Sequence, residues 1–192
     1  MQLTILGTSA MVPTKDRNQS AYLLTHDNEG LLIDCGEGTQ RQLKYAGISQ
    51  AKITRILITH WHGDHVLGLP GLLMTMSQGG YTDVLHLYGP KGTKQRIGTM
   101  LETFVFDRRL NMEVHEITKD LVFETSDIKC TALPLDHGVP CLGYRIEEKD
   151  RLRINLDKAK KLGIPEGPLL GKLQRGEEAI WKGKPVNPKD VP

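Results

Sequence analysis

Residues 53–68, ITRILITHWHGDHVLG, limit what this chain can fold into more than any other stretch. The run ITRILI is almost continuously apolar and rich in β-branched residues, as in a strand buried on both faces. It is followed at once by three histidines and one aspartate within six positions: His60, His62, Asp64 and His65. An extended chain has a period of two, so His60 and His62 leave it on one face. Asp64 falls where the chain turns into a helix, and can be both a helix-start residue and a ligand. Imidazole and carboxylate together suit Zn²⁺, and also Mn²⁺ or Fe. One zinc rarely takes more than four protein groups, so four donors here plus any from elsewhere point to two adjacent metals sharing one turn. With 7 histidines in 192 residues, composition alone gives such a pattern a chance of roughly 6 in 10,000.

Two other strand ends carry donors. His137, in LPLDHGVP, follows a strand and precedes a glycine, and with the cluster in place it is the third imidazole expected for one metal. Asp34 ends the apolar run of LLIDCGEG. It either orients a ligand imidazole from behind or caps the helix that starts in EGTQRQL. His26, His86 and His115 are expected in a turn or at mid-strand, with structural or solvated roles.

The rest of the chain reads as α/β, or α+β. An opening strand is followed by a hairpin around Asp-Asn-Glu-Gly, a helix in TQRQLKYAGI, and the buried strand. Next come a helix interrupted at Pro70, a strand in VLHLYGP, a helix in TKQRIGTMLETF, and four short strands in EVHEI, LVFET, DIKCTALPL and CLGYRIEE. Residues 1–150 are expected to form the core and residues 151–192 a protruding arm and tail. That last segment is rich in Gly and Pro, with a weak helix near NLDKAKKLG and no strand alternation. Charge divides at nearly the same place. Residues 149–192 hold 11 Lys/Arg against 6 Asp/Glu, a net of +5, which leaves −3 on residues 1–148. A basic segment on an acidic body fits either a polyanion-binding arm or a solvated surface. Three cysteines, with no CxxC pair, suggest reduced thiols and a cytoplasmic setting. No apolar run approaches the ~20 residues of a membrane span.

The stretch THWHGDHVLGLPGLL resembles the metal motif of the metallo-β-lactamase superfamily. LGTSAMVPTKDRNQSAYLL, with its PxKxRN loop, and LIDCGEGTQRQL are similar to ribonuclease Z, the tRNA 3′-processing endonuclease. GIPEGPLLGKLQRGE resembles the Gly-Pro arm with which one branch of that family grips tRNA. The resemblance implies an αββα sandwich, of which this chain covers mainly the first half plus the arm. It implies two zinc ions, one held by His60, His62 and His137 and the other by Asp64 and His65, with Asp64 also the proton acceptor. It places Lys15, Arg17 and Asn18 near the tRNA 3′ end, and Gly167, Pro168, Lys172 and Arg175 on the tRNA-binding arm. The implied partner is precursor tRNA and the implied assembly a homodimer, with no membrane association.

The family pattern continues beyond the arm into a second half. That half supplies a bridging aspartate, a further histidine, and a His/Glu pair that protonates the leaving oxygen. None has a counterpart in these 192 residues. The chain is therefore expected to be part of a ribonuclease Z, inactive by itself and exposing apolar sheet surface. Two rival readings are a metallo-β-lactamase-fold hydrolase of small phosphodiesters or other esters, and a non-catalytic fragment that binds tRNA or zinc.

Overall fold

The computed structural model describes residues 1–107, 109–150 and 152–191. Its elements in chain order are β1 (Gln2–Gly7), β2 (Ala21–His26), β3 (Glu29–Ile33), α1 (Thr39–Tyr45), β4 (Arg55–Leu57), α2 (Gly63–Val66) and α3 (Leu69–Gln78). They continue with β5 (Leu85–Gly89), α4 (Thr93–Thr103), β6 (Met112–Glu116), β7 (Asp120–Glu124), β8 (Ile128–Leu135), β9 (Cys141–Glu148), α5 (Leu156–Lys161), α6 (Pro168–Gln174), β10 (Ala179–Trp181) and β11 (Lys184–Val186). The chain divides into two compact units: residues 1–122 with 131–145, and residues 123–130 with 146–192.

The first unit is built on a six-stranded sheet in simple sequence order, β1 to β6. β1, β2 and β3 pair antiparallel, and β3, β4, β5 and β6 pair parallel. The hairpin between β2 and β3 is tighter than the expected four-residue turn. Only Asp27 and Asn28 lie outside the strands, with His26 opposite Glu29, and Asp27 has a φ of 50°, as a two-residue primed turn requires. Leu32 of β3, Ile56 of β4 and Leu87 of β5 are registered neighbours on one face of the sheet. They pack with Leu43 of α1, Leu69, Leu72, Leu73 and Met76 of α3, and Ile97 of α4 in one buried core. Leu31 and Leu57, on the opposite face, are also wholly buried, which is why ITRILI lacks alternation.

Pro70 does not interrupt a helix but begins one. It stands in the first turn of α3, where its missing N–H costs nothing. The four late strands appear where the pattern places them. β7, β8 and β9 form a three-stranded sheet in that order, and the boundary between the two units falls within each of them.

The second unit has more structure than its composition suggests. Ala159, Ile164, Leu170, Leu173, Ala179 and Val191 form a small buried core of their own. Asn155 caps α5 by accepting from the backbone N–H groups of Asp157 and Lys158, and α6 starts at Pro168 behind Gly167. β10 and β11 form a hairpin whose two connecting residues, Lys182 and Gly183, both have positive φ. The segment read as lacking strands therefore contains a hairpin. Its strands are three residues long, too short for alternation to register.

Candidate metal centre

In a parallel sheet, sites form where the strands end, and the donor cluster stands at such a point. β3 ends in Asp34 and β4 runs out through Ile58 and Thr59 into the histidines. The Asp34 N–H donates to the Leu57 carbonyl at 2.9 Å, and the Cys35 N–H donates to the His65 carbonyl at 2.7 Å. The two strand ends are thus sewn together backbone to backbone. That close approach needs glycine: a Cβ on Gly68 would lie 2.1 Å from the Gly36 carbonyl oxygen. His62 is extended and caps α2, so Asp64 sits in the first turn of that helix, with His62 rather than Asp64 at the cap position.

The structure brings five of the expected donors together. His60 Nε2 and His62 Nδ1 are 3.0 Å apart. The His137 ring centroid is 4.6 Å from that of His60 and 5.2 Å from that of His62. One nitrogen from each of these three rings lies within 4.8 Å of the other two. His137 comes from the β8–β9 connection. The backbone delivers it there because the Leu142 N–H donates to the Thr59 carbonyl at 2.9 Å and the Tyr144 hydroxyl donates to the Ile58 carbonyl at 2.8 Å. His65 is tilted against His60 at 4.1 Å, and its Nε2 lies 3.5 Å from Asp64 Oδ2.

Asp34 resolves its two readings geometrically. α1 is preceded by Gly38 without a side-chain cap, whereas Asp34 Oδ2 lies 2.7 Å from His65 Nδ1. The same carboxylate accepts from the Thr59 N–H at 2.8 Å and the Thr59 hydroxyl at 2.8 Å. A carboxylate only accepts, so the proton of a neutral His65 stands on Nδ1 and the Nε2 lone pair turns toward Asp64. Thr59, which sequence reasoning passed over, also reaches His60 Nδ1 at 2.9 Å. Its position directly before the first histidine, at a strand end, was the available signal.

Electrostatics act in opposite senses on His60 and His65. Burial, followed by the neighbouring His65, pushes the His60 imidazole down from 6.5 to about 4. Burial opposes protonation of His65, but the hydrogen bond to Asp34 and the charges of Asp34 and Asp64 outweigh it and raise its pKa. Cys35 is pushed up to about 12, chiefly by burial, and burial also raises Cys141. Both therefore remain thiols, leaving imidazole and carboxylate as the donors. Three converging imidazoles beside a carboxylate-held fourth fit a divalent metal. His60, His62 and His137 form one donor set; Asp64 and His65 supply two donors beside it.

The other expected residues lie outside this cluster. Lys15 and Arg17 are exposed in the β1–β2 loop. Asn18 shapes that loop: its carbonyl accepts from the Thr8 and Ser9 N–H groups, and its side chain donates to the Glu37 carbonyl at 2.6 Å. Buried Gln19, also unforeseen, ties the loop to Met11 and Glu37. Gly167, Pro168, Lys172 and Arg175 belong to the second unit, at the start, last turn and end of α6, and Arg175 pairs with Glu177 at 2.8 Å.

A family model described as Anti-Pycsar protein Apyc1 matches residues 1–159. The ribonuclease Z of Methanothermobacter thermautotrophicus is 42% identical over 191 residues, covering all of this chain and 62% of the relative. The crystal structure of human tRNase Z, short form (ELAC1), superposes with a TM-score of 0.73 at 34% identity, over 79% of this chain and 66% of that one. The metallo-β-lactamase fold protein YhfI from Bacillus subtilis superposes with a TM-score of 0.62 at 21% identity, over 76% of this chain and 56% of that one, a likeness of fold. The chain thus spans about three-fifths of the length of the curated relatives it matches.

Proposed function

Because the chain belongs to the family described as Anti-Pycsar protein Apyc1, and is ribonuclease Z-like along its whole length on the metallo-β-lactamase fold, we propose that it carries the metal-binding part of an endoribonuclease that removes the 3′ trailer from precursor tRNA. The observation that carries this reading is the convergence of His60, His62 and His137 beside an Asp34-held His65. The alignment with ribonuclease Z runs through the stretch GIPEGPLLGKLQRGE, whereas the family-model match ends at residue 159, before it. That difference favours a tRNA substrate over a small ester.

In this reading the metal is zinc, two ions in the complete enzyme, held by His60, His62 and His137 and by Asp64 and His65. Zinc in such a site supplies Lewis acidity and a water of lowered pKa. Asp64, buried next to His65, orients the attacking water and takes its proton. Asp34 keeps the His65 proton on Nδ1 and so keeps Nε2 available as a donor. Lys15 and Arg17 contact phosphate near the 3′ end. Gly167, Pro168, Lys172 and Arg175 form part of a basic surface that reads tRNA by shape and charge. A homodimer and a cytoplasmic setting belong to the same reading. The second gains support from three buried cysteines that are all free. Residues 1–150 act as the metal-binding core and residues 151–192 as the tRNA-binding segment.

The test is a zinc-loaded ribonuclease Z carrying this sequence, given a 3′-extended precursor tRNA and, separately, bis(p-nitrophenyl) phosphate. Cleavage after the discriminator base, abolished by His62→Ala, is the expected result. Turnover of the small diester with no cleavage of the tRNA overturns the proposal.

A further inference from the structure

A second set of metal-type donors lies away from the centre described above, on residues that sequence reading assigned to solvated or structural roles. β5 and β6 run parallel, with His86 opposite Glu113 and Tyr88 opposite His115. Glu113 and His115 are two apart on an extended strand, so they share a face. Registered pairing puts His86 on that face too.

Three atoms converge there. His86 Nδ1 is 3.4 Å from His115 Nε2 and 3.4 Å from Glu113 Oε2, and the last two are 3.6 Å apart. A nearly equilateral triangle of this edge is one face of a tetrahedron whose centre lies about 2.1 Å from each corner, the ordinary Zn–N and Zn–O bond length. The fourth corner is open for water. Tyr88, only 6% exposed, stacks on the His115 ring at 4.8 Å and 19°, which limits that ring's rotation. The three donor side chains remain within reach of solvent, at 29% exposure for His86, 56% for Glu113 and 38% for His115. Arg55, opposite His86 in register, has its charge engaged by Glu29, and Lys94 is the cation whose charge acts on His115.

We propose that His86, Glu113 and His115 form a separate divalent-metal site, suited to Zn²⁺, that clips the edge strand β6 to β5. His86 aligns with Arg55, five residues before His60, so the two centres are roughly 15 Å apart along an extended chain. They share no ligand. The site uses two imidazoles and one carboxylate, a donor set that zinc accepts with water as the fourth ligand. Bound metal would hold the last strand of the sheet, which among the described residues has a neighbour on only one side, and would stabilise the folded state by mass action. The proposal does not depend on the tRNA reading and stands even if no RNA is cleaved.

The test measures zinc bound per chain by equilibrium dialysis and elemental analysis in a His62→Ala/His65→Ala/His137→Ala background, which removes donors from both sets of the first centre. One equivalent retained at micromolar zinc is expected, and adding His115→Ala should remove it. Zinc should raise the melting temperature of the background protein but not of the same protein carrying Glu113→Gln. That exposed substitution keeps the test usable if His115→Ala fails to fold. In the background protein, the His86 and His115 ring resonances should shift together at one equivalent of zinc. No zinc bound by the folded background protein, or zinc binding unchanged by Glu113→Gln and His115→Ala, overturns the proposal.

Discussion

Asp34→Asn is the sharpest perturbation of the first centre, because it changes one atom while keeping the side chain's shape. The carbonyl of the substituted amide would keep the Thr59 N–H, which Asp34 Oδ1 now accepts at 2.8 Å. The amide NH₂ then falls where Oδ2 now meets His65 Nδ1 at 2.7 Å. An amide nitrogen only donates, so Nδ1 must accept and the His65 proton moves to Nε2. Nε2 is the nitrogen beside Asp64, and once protonated it cannot ligate. Losing such an outer partner weakens metal binding by about 10–100-fold, or about 1.4–2.8 kcal/mol. Without metal, a hydrogen bond to a buried charge, about 1.5–3 kcal/mol, is exchanged for a neutral one of about 1 kcal/mol. The net loss is about 0.5–2 kcal/mol, or roughly 1–8 °C in melting temperature for a chain of this size. The assay is ¹⁵N NMR of the imidazoles together with zinc titration. Wild-type protein should show His65 protonated on Nδ1, and Asp34→Asn should show it on Nε2. Persistence of the Nδ1–H tautomer in a folded Asp34→Asn protein, or a loss in zinc affinity below about threefold, refutes the reasoning.

Three further outcomes can be checked. Gly68→Ala should cost at least about 2–3 kcal/mol, since its Cβ meets the Gly36 carbonyl oxygen at 2.1 Å and neither backbone can retreat. Gly98→Ala, on an exposed turn of α4 with nothing within 4 Å, should instead stabilise by about 0.5–1 kcal/mol; denaturant melts compare the two. In metal-free protein, His60 should titrate near 4 rather than 6.5. Between those values the unfolded chain holds the extra proton, so the His60 contribution is complete above pH 6.5 and is lost as pH falls toward 4. His65, raised by Asp34 and Asp64, works in the opposite sense: its contribution is complete below pH 6.5 and is lost as pH rises through its folded pKa. NMR titration of the assigned rings separates the two. Lys15→Ala and Arg17→Ala should each lower the salt dependence of tRNA binding by about one phosphate contact, affecting all tRNAs alike.

Legibility in the sequence followed distance along the chain. His60, His62, Asp64 and His65 are adjacent in sequence, so strand period and turn position were enough to group them. His137 required the longer inference that strand ends collect donors, and the Leu142–Thr59 hydrogen bond is its physical cause. Asp34 had two equal readings because a strand-end aspartate can cap a helix or hold a ring, and only the position of His65 decides between them. His86 and His115 were unreadable as a pair. They are 29 residues apart, and only the parallel register of β5 on β6 joins them. The β10–β11 hairpin was missed for a local reason, since its Lys182-Gly183 turn lacks the Asn-Gly or Asp-Gly signature of two-residue loops. The long, strongly patterned strands and helices of the first unit were legible because burial dictates their residue types.

Anomalous diffraction at the zinc edge, from crystals grown with saturating zinc, tests the first centre most directly. A peak about 2.0–2.1 Å from one ring nitrogen each of His60, His62 and His137 is the expected result. The absence of any peak beside those three imidazoles would contradict the metal centre and, with it, the hydrolytic chemistry assigned to the protein.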